Sequence, residues 1–135
     1  MPVADTELLF LMNPRDPRHS FAIKALKQLQ GKLFIPDVAL LEFEIVPRSR
    51  GRSPKQVRRA LSSLKSIFIQ YGVREVGIIG TDALLLHSDI MERYGLSYFD
   101  SLIATAAIML DGVLVSDDDA FDSVKELKER IPITR

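Results

Sequence analysis

Acidic side chains follow two segments of this sequence that are predicted to be buried strands. The apolar run Pro2-Val3-Ala4 precedes Asp5, and the apolar run from Val113 to Ser116 precedes three consecutive aspartates, Asp117, Asp118 and Asp119. In open parallel α/β sheets, ligands bind in the crevice beyond the carboxyl ends of the strands. The two segments are therefore predicted to bring carboxylates to one edge of a sheet.

Two further acids lie in predicted helices. Glu42 stands beside Leu41 in a helix whose residues Val38, Leu41 and Ile45 are predicted to form the apolar stripe. A carboxylate so near a buried face needs a partner. Asp100 is the third residue of a helix that Ser97 is predicted to cap.

Two of these acids also have an explanation that needs no chemistry. Asp5 can cap a helix, and Asp100 can be an N-terminal acid that interacts favourably with the helix macrodipole, an effect of about 0.3–1 kcal/mol. Three successive aspartates, however, repel one another and exceed what one cap requires. If Asp5, Glu42, Asp100 and Asp118 converge, a divalent cation is the expected counter-charge, because no lysine or histidine lies nearby in the sequence. Such an ion activates water and neutralises a phosphoryl transition state, which predicts phosphodiester hydrolysis.

Composition limits the alternatives. The 135 residues suit a single domain spanning 1–135, and the absence of cysteine excludes disulfides and thiolate metal sites. A metal bound here is predicted to be a hard ion held by oxygen, Mg²⁺ or Mn²⁺. Eighteen basic residues balance eighteen acidic ones, so any attraction to nucleic acid must be local. No apolar run is long enough for a membrane span, and a soluble, cytoplasmic protein is expected.

Short apolar runs alternate with amphipathic helical patterns, which is typical of an α/β fold. Strands are predicted at 3–5, 32–35, 76–79 and 113–116, with an edge strand at 131–133. Helices are predicted at 7–12, from Asp16-Pro17 to Gly31, from an Asp37 cap to Pro47, from Ser53 to Gly72, from Thr81 to Gly95, from Ser97 onward, and as a last long helix through Val124 and Leu127.

Basic residues are concentrated between the third and fourth predicted helices. Arginines and lysines bind phosphates and make nucleic-acid binding dependent on salt, so this segment is a candidate RNA contact. The alternative is a solvated loop with no ligand. The residues concerned are Arg48, Arg50, Arg52 and Lys55, followed by Arg58 and Arg59.

Several segments, in order along nearly the whole chain, resemble the PIN-domain family, which includes toxin nucleases of VapC type. They are Val3 to Thr6, Asn13 to His19, Asp37 to Glu42, Tyr94 to Ala104 and Leu114 to Phe121. The resemblance implies a three-layer α/β/α fold with a central parallel sheet, and a Mg²⁺- or Mn²⁺-dependent ribonuclease. It also implies an antitoxin partner if the protein is a toxin, and a homodimer, which is common in the family.

The resemblance assigns roles to particular residues. The family's acids fall on Asp5, Glu42, Asp100 and Asp118, with Asp117 ranked second, and Thr6 and Ser116 are supporting hydroxyls. The chain departs from the family at Glu7, where Asn or Ser is frequent, and at Ala120, where Asp is common. Glu7 is expected either to add a carboxylate or to point outward.

Two other functions remain open. A phosphatase of haloacid dehalogenase type would use Asp5, Glu7 and the segment from Gly112 to Asp118, but it would leave Glu42 and Asp100 without a role. A binding module would hold RNA or a protein without cutting it. Elsewhere, His19 and His87 are predicted to be surface helix residues, and Tyr94 and Tyr98 are predicted to pack at a helix junction.

Overall fold

A five-stranded parallel sheet lies at the centre of the computed structural model, which describes residues 1–134. The strands are β1 (Val3–Ala4), β2 (Phe34–Pro36), β3 (Arg74–Val76), β4 (Val113–Val115) and β5 (Glu129–Ile131). Their order across the sheet is β3-β2-β1-β4-β5, and every neighbouring pair is parallel. The predicted α/β/α class with a central parallel sheet is confirmed.

Six helices cover the sheet, and a short 3₁₀ helix spans Asp119–Ser123. Parallel strands buried on both faces are apolar throughout, and Val3, Ala4, Leu114 and Val115 are fully buried. The helices are α1 (Thr6–Phe10), α2 (His19–Gln28), α3 (Asp37–Ser49), α4 (Pro54–Tyr71), α5 (Thr81–Tyr94) and α6 (Tyr98–Leu110). None of the helices within residues 1–134 combines the length and apolar character needed to cross a membrane.

The predicted start of α2 and end of α3 were wrong. Helix α2 begins at His19, because the Asp16 side chain accepts a hydrogen bond from the Arg18 amide and closes a turn before the helix (2.8 Å). Helix α3 continues through Pro47 to Ser49. A proline near the end of a helix removes one N–H, and the Arg50 amide still donates to the Val46 carbonyl (3.2 Å).

The predicted third strand and last helix were also wrong. Strand β3 ends at Val76. Just beyond it, the amides of Ile78 and Ile79 donate to the Asp37 carboxylate instead of to a neighbouring strand (3.1 and 3.2 Å). Asp37 therefore holds this loop through hydrogen bonds and is not the N-cap of α3. No long helix passes through Val124 and Leu127 in the described residues, where the chain returns to the sheet as β5 at 129–131 instead of 131–133.

Some apolar faces differ from those predicted. In α3 the buried residues are Val38, Ala39 and Phe43, whereas Leu41 and Ile45 are 42% and 40% exposed. Leu84 and Leu85 of α5 are also exposed. Glu42 follows Val38 by four residues, which places it on the inward face itself.

Candidate functional site

The register of the two central strands brings Asp5 beside Ser116. Ala4 pairs with Val115, and the Asp5 amide continues the pairing by donating to the Val115 carbonyl (2.9 Å). Both strands end here, so the next side chains emerge at the same sheet edge. The predicted meeting of these two segments is therefore present in the structure.

Ser116 joins the two strand ends. Its hydroxyl is fully buried and donates to Asp5 Oδ2 (2.7 Å), while it accepts a hydrogen bond from the Asp118 amide (3.0 Å). One side chain thus fixes both the Asp5 carboxylate and the backbone that carries Asp118.

Asp5 is the most deeply buried of the candidate acids, with 6% of its surface exposed. Burial raises the pKa of Asp5 to about 7, the Ser116 hydrogen bond opposes this effect, and the charges of Asp100, Glu7 and Glu42 add to it. A buried carboxyl that gains a proton near neutral pH is an unusual group, and such groups are frequent in functional sites.

Glu42 and Asp100 reach the same region from α3 and α6. Both are half-buried, and burial is the main reason that the pKa of each carboxyl is raised. The charge of Asp100 also raises the pKa of Glu42, and the charge of Asp118 raises that of Asp100. Ser97 caps α6 by accepting from the Asp100 amide (3.2 Å), as predicted.

These effects link three of the four acids, Asp5, Glu42 and Asp100, to one another, and they link the fourth, Asp118, to Asp100. Asp118 is held locally, since its Oδ1 accepts from the Ala120 amide (2.9 Å) and caps the 3₁₀ helix. In the part of the chain that the structure describes, no three acidic or histidine side chains are close enough to form a ready-made metal centre.

Asp117 has a different environment. Its Oδ1 accepts from the amides of Ile133 and Thr134 (2.7 and 3.0 Å), and its Oδ2 accepts from the Thr134 hydroxyl (2.9 Å). Although burial opposes the change, these bonds and the charge of Arg18 lower the pKa of Asp117. Asp117 therefore anchors the segment after β5, which gives it a structural role.

Two arginines that sequence reasoning did not single out lie at this edge. Arg18 Nη1 lies 3.3 Å from Glu7 Oε2 and 4.0 Å from Asp117 Oδ2. Arg130 donates to the Ser116 carbonyl (3.0 Å) and pairs with Asp122. The sequence offered no signal for these contacts, because Arg18 and Asp117 are far apart in the chain.

Two side-chain oxygens near Asp5 have no hydrogen-bond partner within residues 1–134: Thr6 Oγ1 and Glu7 Oε1, both buried. Thr6 lies near enough to Glu42 to lower the pKa of that carboxyl, although no hydrogen bond joins the two side chains within residues 1–134. Like the four acids, these two groups offer only oxygen as a ligand atom. Such a set suits Mg²⁺ or Mn²⁺ rather than a softer ion.

The remaining candidates lie away from the strand ends. Arg48, Arg50, Arg52 and Lys55 are exposed at the end of α3 and the start of α4, and Arg48 pairs with Glu44 (3.6 Å). The histidine prediction was wrong for His87, which is buried and donates from Nε2 to the Tyr98 carbonyl (3.0 Å). His19 is half-buried against the Leu11 carbonyl.

The fold resembles several solved structures, among them a toxin–antitoxin complex. The chain aligns over 96% of its length with 96% of a chain in the DNA-bound VapBC2 complex of Rickettsia felis, with 18% identity and a TM-score of 0.70. For FitAcB of Neisseria gonorrhoeae, both coverages are 98%, the identity is 14% and the TM-score is 0.72. For a toxin–antitoxin complex of Klebsiella pneumoniae, the coverages are 100% and 99%, the identity is 15% and the TM-score is 0.71.

Sequence comparison identifies the family directly. Comparison with curated protein sequences gives no match. The family model of the PIN domain, however, matches residues 3–127, which is nearly the whole chain and includes all four acids. The chain therefore belongs to the PIN-domain family, as its motifs indicated.

Proposed function

We propose that this protein is a Mg²⁺- or Mn²⁺-dependent endoribonuclease that hydrolyses RNA phosphodiester bonds. The observation that carries the proposal is the buried Asp5 carboxyl, whose pKa is raised to about 7 by burial and by the charges of neighbouring acids. Bringing like charges together in a protein interior costs free energy, and a bound divalent cation usually offsets this cost. Membership of a family of nucleases supports the same conclusion.

The proposed roles follow from where each side chain is held. Asp5, Asp100 and Asp118 would hold the cation, and Glu42 would contribute directly or through a water molecule. Ser116 would keep the Asp5 carboxylate and the Asp118 backbone in register, as its two hydrogen bonds suggest. A bound divalent cation would supply a water of lowered pKa and neutralise charge on the phosphoryl group.

The test is cleavage of RNA by purified wild type and Asp5→Asn protein in Mn²⁺, with and without chelator. Wild type should cleave only with metal, and Asp5→Asn should lose cleavage while remaining folded. Glu44→Gln, in an exposed ion pair with Arg48, is the control for loss of one negative charge. Metal-dependent cleavage by Asp5→Asn at the wild-type rate would refute the proposal.

The basic residues Arg48, Arg50, Arg52 and Lys55 are proposed to contact the RNA backbone. This proposal is supported by the exposure of all four side chains on one continuous stretch of chain, from the end of α3 to the start of α4. The four acids also favour an enzyme over a binding module. A haloacid dehalogenase-type phosphatase is disfavoured, because it would give no role to Glu42 or Asp100.

We also propose that the protein is the toxin of a toxin–antitoxin pair. The solved complexes that it resembles contain antitoxins, and the chain has an apolar groove between α1, α3 and α4. The groove is lined by Phe10, Phe43, Val57 and Ile67, with Arg50 and Arg52 beside them. An amphipathic antitoxin segment with acidic residues would match these side chains. Failure of the protein encoded beside this one to bind or inhibit it would contradict the proposal.

A homodimer is the proposed oligomeric state. Large apolar side chains are exposed on α3, on α5 and in the loop before α5, where burial against a second copy would remove them from water. They are Leu41, Ile45, Ile79, Leu84 and Leu85, each at least 40% exposed. A single monomeric species in sedimentation at micromolar concentration would contradict this proposal.

A further inference from the structure

Glu7 has one carboxylate oxygen that its surroundings leave unsatisfied. Its Oε2 accepts from Arg18 Nη1 (3.3 Å), whereas Oε1 is buried and has no hydrogen-bond partner in residues 1–134. A carboxylate oxygen removed from water without a partner destabilises the folded protein. The outward orientation that the sequence left open for Glu7 therefore does not describe this side chain.

The ion pair with Arg18 does not account for this placement. Both partners are partly exposed, with relative side-chain exposures of 42% for Arg18 and 30% for Glu7. Exposed ion pairs contribute little to stability, and this one uses only Oε2. The burial of Oε1 therefore calls for another partner.

A second unsatisfied group lies next to it. Thr6 is only 2% exposed, and its Oγ1 is also buried and has no hydrogen-bond partner within residues 1–134. Thr6 adjoins Asp5 in the chain and lies near the Glu42 carboxylate. Glu7 follows Thr6 in the first turn of α1, two residues after Asp5. Two orphaned oxygens thus share the region of the proposed cation site.

We propose that Glu7 supplies a further carboxylate, through Oε1, to the divalent-cation site formed by Asp5 and the other acids. This inference rests on the proposed function. A hard cation prefers carboxylate oxygen, so its binding would satisfy Oε1 while Arg18 retains Oε2. The number of negatively charged ligands tunes the affinity of such sites. Glu7 would therefore strengthen cation binding relative to a chain with an uncharged residue there.

The test is calorimetric titration of Mn²⁺ into wild type, Glu7→Gln and Glu44→Gln. Glutamine preserves the shape of the side chain and removes its charge, and Glu44→Gln removes the same charge from the exposed pair with Arg48. Glu7→Gln should weaken Mn²⁺ binding by about tenfold or more, while Glu44→Gln should remain within about twofold of wild type. Equal weakening by both variants would indicate a general charge effect and overturn the inference.

Asp5→Asn in the same titration separates this inference from the proposed function. If Asp5→Asn loses Mn²⁺ binding and Glu7→Gln binds like wild type, Glu7 is not a ligand and only this inference fails. If wild type does not bind Mn²⁺, or if neither variant changes binding, the proposed cation site fails as well. Glu7→Asp provides a second test, because it keeps the charge but withdraws the carboxylate, and it should also weaken binding.

Discussion

Replacing Asp5 by Asn should stabilise the metal-free protein at pH 8 while removing its proposed activity. The folded protein keeps a proton on Asp5 up to about pH 7, whereas the unfolded chain releases it near its ordinary pKa of 3.8. Wild-type stability therefore decreases as the pH rises between these two values, since the folded state binds more protons there. Asparagine has no such proton, so the variant avoids this loss.

The size of the effect follows from the raised pKa of Asp5. Each pKa unit corresponds to about 1.4 kcal/mol, so the ionised Asp5 costs the folded protein about 4 kcal/mol above pH 7. The asparagine oxygen can still accept from Ser116, but an imperfectly bonded amide nitrogen would offset about 1–2 kcal/mol. The expected net gain is about 2–3 kcal/mol at pH 8 and much less at pH 4.

Urea unfolding in chelator, at pH 4 and pH 8, measures this difference. Asp82→Asn is the control, because Asp82 is an exposed acid in the first turn of α5 and its loss should destabilise by less than about 1 kcal/mol. Adding Mn²⁺ should stabilise wild type but not Asp5→Asn, since a ligand stabilises only the state that binds it. An Asp5→Asn protein no more stable than wild type at pH 8, or a stability difference equal at both pH values, would show that Asp5 does not carry this raised pKa.

Three further changes have expected outcomes. Ser116→Ala removes the donor to Asp5 and should raise the Asp5 pKa by about one pH unit or more, measured by NMR titration of the carboxyl; an unchanged pKa would contradict this. His87→Ala should lower the free energy of unfolding by about 2–3 kcal/mol, because a buried ring and its hydrogen bond to a backbone carbonyl are lost. A free energy of unfolding equal to that of wild type in urea denaturation would show that His87 does not stabilise the fold. Neutralising the three arginines Arg48, Arg50 and Arg52 should weaken RNA binding. It should also reduce the slope of log affinity against log salt concentration by about 2, and an unchanged slope would rule out the contact.

Local chemistry explains which parts of the fold were predictable. The capping box of Ser53 with Gln56 and the Ser97 cap involve residues three positions apart, and both are present. Gly72 and Gly95 adopt the left-handed conformation that ends a helix, at φ 62° and 66°. Each of these four signals is contained within one turn of chain, and no distant contact overrides it here.

Several errors occurred where a distant partner decides the conformation. The segment after Ser123 has a weak helical pattern, but Lys128 donates to the Gly112 carbonyl (2.8 Å) and begins the pairing of β5 with β4. In α3, Leu41 and Ile45 fit a helical stripe as well as the buried Val38, Ala39 and Phe43 do. Only the packing of α3 on α1 and α6 selects one face over the other.

The site, like the fold, combines features that the sequence predicts with contacts that form only after folding. The positions of Asp5 and Ser116 follow from strand ends that are readable in the sequence, and their adjacency follows from a parallel sheet. The engagement of Asp117 by Thr134 and the approach of Arg18 to Glu7 depend on loops that meet only after folding. The sequence therefore predicted that the two strand ends meet, but not the contacts that distinguish Asp117 from Asp118.

Titration of Mn²⁺ into wild type and Asp100→Asn, followed by incubation of both samples with RNA, shows whether the acids form a metal-dependent nuclease site. Asp100 lies in α6, and its charge raises the pKa of both Asp5 and Glu42, so its loss should disrupt the shared site. We predict that wild type binds Mn²⁺ and cleaves RNA, and that Asp100→Asn loses both properties together. Absence of Mn²⁺ binding in both proteins, or RNA cleavage by both at equal rates, would contradict the account.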